Sequence, residues 1–186
     1  MPAGLEIERR YLLSSAPSDG ELADLGARPH RIEQVCLRSG DGWVRRVRKV
    51  EAEGRTRHIA TRKREIDGIV REEHEDELDL DAYDLRLAEA DPARRTIHKV
   101  RHVSAFAGHV LGLDVFSDPA DLILLEVELE DASEVPDLPP AILGRLIREA
   151  GLERAYMSHE IALQVPAGAR NLPLDGEPPG AARSAT

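Results

Sequence analysis

Glu6-Ile7-Glu8-Arg9-Arg10 is the stretch whose reading decides the fold. Its charges fall at two-residue spacing, and in a strand residues i, i+2 and i+4 share one face. Glu6, Glu8 and Arg10 then project together, while Leu5, Ile7, Tyr11 and Leu13 belong to the other phase. A one-sided strand turns its apolar phase to a core and its charges to water. A closed barrel wide enough for a polar ligand can do the reverse, with charges inside and apolar residues outside against covering helices.

The same spacing recurs along the chain. Arg46 and Arg48 flank Val47; Arg71, Glu73 and Glu75 run at one step; Lys99 and Arg101 flank Val100; Glu126 and Glu128 flank Val127. Lys63 ends the run Ile59-Ala60-Thr61-Arg62-Lys63, and Asp114 sits between Leu113 and Val115. In a chain with 32% charged residues, any single pair reads most simply as a solvated face. Glu126, Glu128 and Asp114 resist that reading, because they lie in otherwise apolar strands. A lone buried carboxylate is expensive unless it is paired or binds a metal.

Between these sites the chain reads as a meander. Strands are expected over 4–13, 31–38, 43–50, 56–63, 69–78, 95–106, 109–116, 122–130 and 157–165. The turns fall at Ser39-Gly40-Asp41-Gly42, Glu51-Ala52-Glu53-Gly54, Asp67-Gly68 and Ala107-Gly108. Ser18 starts a short helix running to Leu25. Asp79 or Asp81 caps a helix over 81–90 with Leu85 and Leu87 on its apolar side. Pro139-Pro140 leads into a helix over 141–150 that Gly151 stops. The fold class is α+β, mainly β, and the strand count fits a closed antiparallel barrel with helices on its outside. Residues 1–165 form the domain, and 166–186, rich in Pro, Gly and Ala, read as a disordered tail.

A net charge of −10 disfavours non-specific nucleic-acid or anionic-membrane binding. Neither a signal peptide nor a membrane-length apolar run is visible, so a cytoplasmic protein is expected, and a homodimer is allowed. The single cysteine, Cys36, reads as a buried inert thiol. His98 and His102 fit no zinc pattern, and Ser14, Ser15 and Ser104 have no base at triad spacing. Carboxylates are hard ligands for Mg²⁺ or Mn²⁺, and Arg and Lys suit phosphate oxygens. One lumen with both sets calls for a polyanion carried with a divalent metal, and a triphosphate is the natural candidate. Without metal, the clustered carboxylates repel one another and some take up protons.

The opening resembles the ExExK signature of CYTH proteins, the triphosphate tunnel metalloenzymes. Val44-Arg45-Arg46-Val47-Arg48, Thr61-Arg62-Lys63, Val70-Arg71-Glu72-Glu73-His74-Glu75, His98-Lys99-Val100-Arg101, Leu113-Asp114-Val115-Phe116 and Leu125-Glu126-Val127-Glu128 resemble the family's later motifs, in order. The resemblance implies an eight-stranded antiparallel tunnel. It makes Arg10, Arg46, Arg48, Lys63, Arg71, Lys99 and Arg101 a phosphate clamp. Glu6, Glu8, Asp114, Glu126 and Glu128 become the metal set, with Glu6, Glu8, Glu126 and Glu128 foremost. In the mechanism expected of such a site, a second metal or a carboxylate, Glu73 or Glu75, orients water, and Lys63 stabilises the leaving phosphate.

Two features depart from the pattern. Arg10 replaces the signature lysine, a fork in place of a point charge. Toward the C-terminus, Gly144-Arg145-Leu146-Ile147-Arg148 and Tyr156-Met157-Ser158 lack a Glu and an Asn that relatives carry. The expected activity is metal-dependent hydrolysis of a triphosphate, with inorganic tripolyphosphate first because few aromatic residues are present to stack a base. An adenylate cyclase or thiamine triphosphatase on the same fold, or a non-catalytic polyphosphate-binding module, are the alternatives.

Overall fold

Eight strands close on themselves in the computed structural model, which describes residues 4–151 and 153–163. In chain order they are β1 (Gly4–Leu13), β2 (Arg28–Gly40), β3 (Trp43–Ala52), β4 (Arg55–Asp67), β5 (Val70–Leu78), β6 (Ile97–Phe106), β7 (His109–Asp118) and β8 (Ile123–Glu128). All pairings are antiparallel in the order β5-β4-β3-β2-β6-β7-β8-β1, and a β5–β1 pairing seals the ring. Hairpin chemistry drives this meander. Asp41-Gly42, Glu53-Gly54 and Ala107-Gly108 each place two successive residues at positive φ, the two-residue turn whose twist matches the flanking strands.

The two strand phases have different fates. The outward phase of β1, β7 and β8 packs Tyr11, Leu13, Leu111, Leu113, Leu125 and Val127 against Leu22 of α1 (Asp19–Asp24) and Ile142 of α3 (Pro140–Leu143). Leu37 and Val47 pack against Tyr83 of α2 (Leu80–Leu87). The inward phase is apolar at one end only. There Leu12, Cys36, Ile97, Phe116 and Leu124 join Tyr156, Ile161 and Ala162 in a buried cluster.

Three expectations are corrected. Only Pro140–Leu143 of the helix expected over 141–150 is helical, and Leu146–Glu149 is a ninth strand, β9, on β1. The cause lies in β1, which pairs with β5 through Gly4–Ile7 only. Past Ile7 that edge would be bare, and β9 covers it through pairings of Tyr11, Leu12 and Leu13. The strand expected over 157–165 is instead α4 (Ser158–Ile161), preceded by a 3-10 turn (Arg154–Tyr156), because Tyr156 and Ile161 cap the lumen. Leu85 is 73% exposed, so Tyr83 and Leu87, not Leu85, face the barrel from α2. The end of the expected 157–165 strand and the 166–186 tail lie outside the described residues. Among those residues no helix is long and apolar enough to cross a membrane.

Candidate functional site

The ladder registers put every charged residue singled out above on the inner face. Glu8 stands opposite Glu128 and Arg10 opposite Glu126 across β1–β8, and Glu6 opposite Arg71 across β1–β5. Lys63 pairs with Glu73 and Thr61 with Glu75 across β4–β5, and Arg46 pairs with Thr61 across β3–β4. Gln34 lies opposite Arg48 across β2–β3, and Arg101 opposite Asp114 across β6–β7. His98 and His102 share the other phase with the outward face, as the strand reading requires.

The lumen neutralises itself. Asp114, 1% exposed, accepts from Lys99 Nζ at 2.6 Å and from Arg101 Nε and Nη2 at 2.8 and 2.6 Å. Arg101 reaches on to Glu126 at 2.5 Å, and Arg10 Nε lies 3.3 Å from the same carboxylate. Glu8 is shared by Arg10, at 2.5 Å, and Arg71. Lys63 Nζ bridges Glu6 at 2.6 Å and Glu73 at 3.1 Å. Glu75 holds Arg48 and accepts from Thr61 at 2.9 Å. Glu128 stands exposed at the end of its strand.

Titration follows from burial and neighbours. Burial opposes ionisation of Glu126, yet Arg101 and Arg10 hold its carboxyl well below the usual range. Burial takes Lys99 down to about 8, although Asp114 pulls it up. Burial and the adjacent Arg46 lower Arg48 to about 10. On the other side of the lumen, burial pushes Glu73 up to about 7; Lys63 opposes the shift and Glu6 adds to it. Partial desolvation on its lumen side raises Glu128, although its strand-end side chain is otherwise open to solvent, and Glu6 and Glu8 add repulsion. Carboxylates crowd one another here in the way a divalent cation relieves. Among the described residues, however, no three of His, Cys, Asp or Glu converge into a ready-made metal cage.

A cavity of about 190 Å³ opens into the lumen. Glu8, Arg10, Glu126, Arg46, Lys63 and Arg71 line it together with Gln34 and Thr61, two residues that the charge pattern does not reveal. The signal that could have found them is phase: Gln34 shares the inward register of Ile32 and Cys36, and Thr61 that of Lys63. Met157, from the altered C-terminal stretch, also lines the cavity and offers its thioether sulfur to Arg10 Nη1 at 3.3 Å. Arg46 Nε and Arg48 Nε are buried without an acceptor among the described residues.

An eight-stranded antiparallel barrel with a charged, ion-paired lumen is the CYTH-like tunnel fold, and that is the fold of this chain. Solved structures of the same architecture bear this out. The inorganic triphosphatase NE1496 superposes with a TM-score of 0.56 at 24% identity over 87% of this chain and 96% of that one. Protein PH1819 from Pyrococcus horikoshii OT3 gives 0.51 at 18% identity, covering 69% and 80%. Protein bh2851 from Bacillus halodurans, assigned provisionally as an adenylate cyclase, gives 0.50 at 15% identity, covering 75% and 97%. No protein-family model matches the sequence, and no curated protein matches it.

Proposed function

We propose that this chain hydrolyses a triphosphate inside the barrel, with inorganic tripolyphosphate as substrate and Mg²⁺ or Mn²⁺ as cofactor. The observation that carries the reading is the β3 wall, where Arg46 Nε and Arg48 Nε are buried donors with no acceptor among the described residues. Burial and mutual repulsion already depress Arg48 to about 10, so an anion beside these two side chains satisfies both defects. The cavity size supports a compact ligand. About 190 Å³ is below the roughly 300–1,000 Å³ of sites for drug-sized molecules, and among the described residues no Phe, Tyr or Trp lines it to stack a base.

The chemistry of the donor set fits a divalent cation. Glu6 and Glu8 on β1 and Glu126 and Glu128 on β8 are oxygen donors on adjacent strands that repel one another without it. A bound cation supplies charge neutralisation to phosphate oxygens and a more acidic water. Asp114 is placed differently. Enclosed by Lys99 and Arg101, it is their counter-ion and the least accessible of the predicted ligands.

The chain's own residues divide the remaining work. Arg10 and Arg71, which share Glu8, and Arg46 and Arg48 on β3 bind phosphate oxygens and hold the chain of phosphates in line. Glu75 is tied to Arg48 and Thr61, while Glu73, paired with Lys63 and pushed up to about 7 by burial, is the β5 carboxylate that orients water. Lys63, between Glu6 and Glu73, carries charge to the leaving phosphate.

The test is incubation of the purified protein with tripolyphosphate, thiamine triphosphate and ATP, each with Mg²⁺, Mn²⁺ or chelator. Metal-dependent phosphate release from tripolyphosphate is expected. Cyclic AMP and pyrophosphate from ATP would overturn the reading in favour of a cyclase, and binding without turnover in favour of a binding module.

A further inference from the structure

We propose that Gln34 is a substrate-contacting residue: its side-chain Nε2 donates to a phosphate oxygen while its Oε1 fixes Arg46. The inference rests on the reading above in that it needs a phosphate anion in the lumen.

Gln34 is fully buried on the inner face of β2, opposite Arg48 on one side and Ile97 on the other. Arg46 Nη1 donates to its Oε1 at 3.3 Å. Arginine has donors only, so the amide can satisfy Arg46 in one orientation alone, with oxygen toward the guanidinium and NH₂ away from it. Among the described residues that NH₂ meets no oxygen or nitrogen acceptor, only the sulfur of Cys36. Its neighbour Cys36 offers a thiol that burial keeps protonated, and a thiol is a weak acceptor.

A fully buried amide with spare donors is rarely left so, because the desolvation cost is uncompensated. Here the spare donors belong to a residue lining the cavity that Arg46, Thr61 and Lys63 also line. With Arg46 Nε and Arg48 Nε, the adjoining β2 and β3 carry three buried nitrogens without an oxygen or nitrogen acceptor among the described residues. All three call for an acceptor, and a polyphosphate chain is rich in them. The amide has one property the arginines lack: it donates without adding charge. The inner face already sets cations against carboxylates, Arg10, Lys63 and Arg71 against Glu6 and Glu8 among them. A neutral donor adds to substrate binding without disturbing that balance, and it is held in place before the ligand arrives.

Two substitutions separate contact from support. Gln34→Met keeps the volume and removes both hydrogen-bonding functions. Gln34→Glu keeps an acceptor for Arg46 and turns the donor into a negative charge facing phosphate. Tripolyphosphate binding to the full chain is measured by titration calorimetry, with hydrolysis followed in parallel and thermal melting as a check on folding. Gln34→Met is expected to weaken binding about ten- to a hundredfold, the range for a hydrogen bond to a charged group. Gln34→Glu is expected to weaken it further.

If Gln34→Glu binds like the wild type while Gln34→Met does not, Gln34 only holds Arg46 and the proposal is overturned. If the wild type hydrolyses tripolyphosphate and both variants match it, the proposal falls and the triphosphatase reading survives. If the wild type binds without hydrolysis and the variants weaken, Gln34 stands and the triphosphatase reading falls. No binding by the wild type overturns both. Should neither variant fold, the side-chain amide signal of Gln34 in the wild type serves instead: it must shift on adding tripolyphosphate, and a fixed signal overturns the contact.

Discussion

Replacing Asp114 by asparagine separates a counter-ion from a metal ligand. The carboxylate is 1% exposed and takes three hydrogen bonds from Lys99 and Arg101. Asparagine keeps the shape but removes the charge, leaving two buried cations short of their main partner. Arg101 retains Glu126, whereas Lys99 has no other ion pair among the described residues. Breaking a buried pair from one side costs about 3–5 kcal/mol. For a chain of this length each kcal/mol moves the melting temperature by roughly 2–4 °C, so D114N should melt about 6–20 °C below the wild type. Lys99 is already down to about 8 through burial, and loss of Asp114 lowers it further, which lets the amine shed its proton and absorbs part of the cost. Circular dichroism melts of the two proteins measure the effect. Added tripolyphosphate should recover more stability in D114N than in the wild type, because the anion now also compensates stranded charge. A melting point within about 2 °C of the wild type, combined with loss of metal-dependent turnover, would refute the counter-ion reasoning and return Asp114 to the metal set.

Three further outcomes are expected. Leu12→Ala, at a fully buried position in the apolar end of the lumen, should cost about 2–5 kcal/mol in urea unfolding, and a loss under 1 kcal/mol would mean that this end is loosely packed. Lys63→Ala removes the cation between Glu6 and Glu73 and should lower kcat on tripolyphosphate by about 10²–10³; an effect on KM alone would make Lys63 a binding residue only. Glu21 closes the capping box of α1, and its bonds from Ser18 and Arg145 hold its carboxyl at about 2 against an ordinary 4.5. A depressed folded-state value means that its stabilisation is present above the unfolded value and fades as pH falls toward about 2. E21Q should therefore be less stable than the wild type at pH 7, with the gap closing between about pH 4.5 and pH 2; a gap independent of pH would sink this assignment.

The inner face was legible because strand phase is strict: one residue of slip would turn every charge outward. Glu8 facing Glu128 and Arg101 facing Asp114 are consequences of that phase once the hairpin turns set the registers. Gln34 and Thr61 escaped a search for charge since they are neutral, though they lie in the same phase. Leu146–Glu149 escaped for a different reason. Its conformation answers a bare edge on β1 left where β5 departs, and no local pattern encodes that vacancy. Ala150 N donating to Arg10 O at 2.8 Å shows the dependence directly, because that partner lies far away in sequence.

By itself, then, the sequence determined a meander of antiparallel strands, its turns, and which side chains share a face, because these depend on spacing and on residues able to take positive φ. The tertiary structure decided which charges find one another. Coulomb energy depends on distance and burial, which spacing along one strand does not report. From the sequence, Glu6-Ile7-Glu8-Arg9-Arg10 offers two carboxylates and a guanidinium on one face. In the folded barrel Glu6 answers to Lys63, and Glu8 is shared by Arg10 and Arg71, so the carboxylates expected to hold metal and the cations expected to hold phosphate first hold each other.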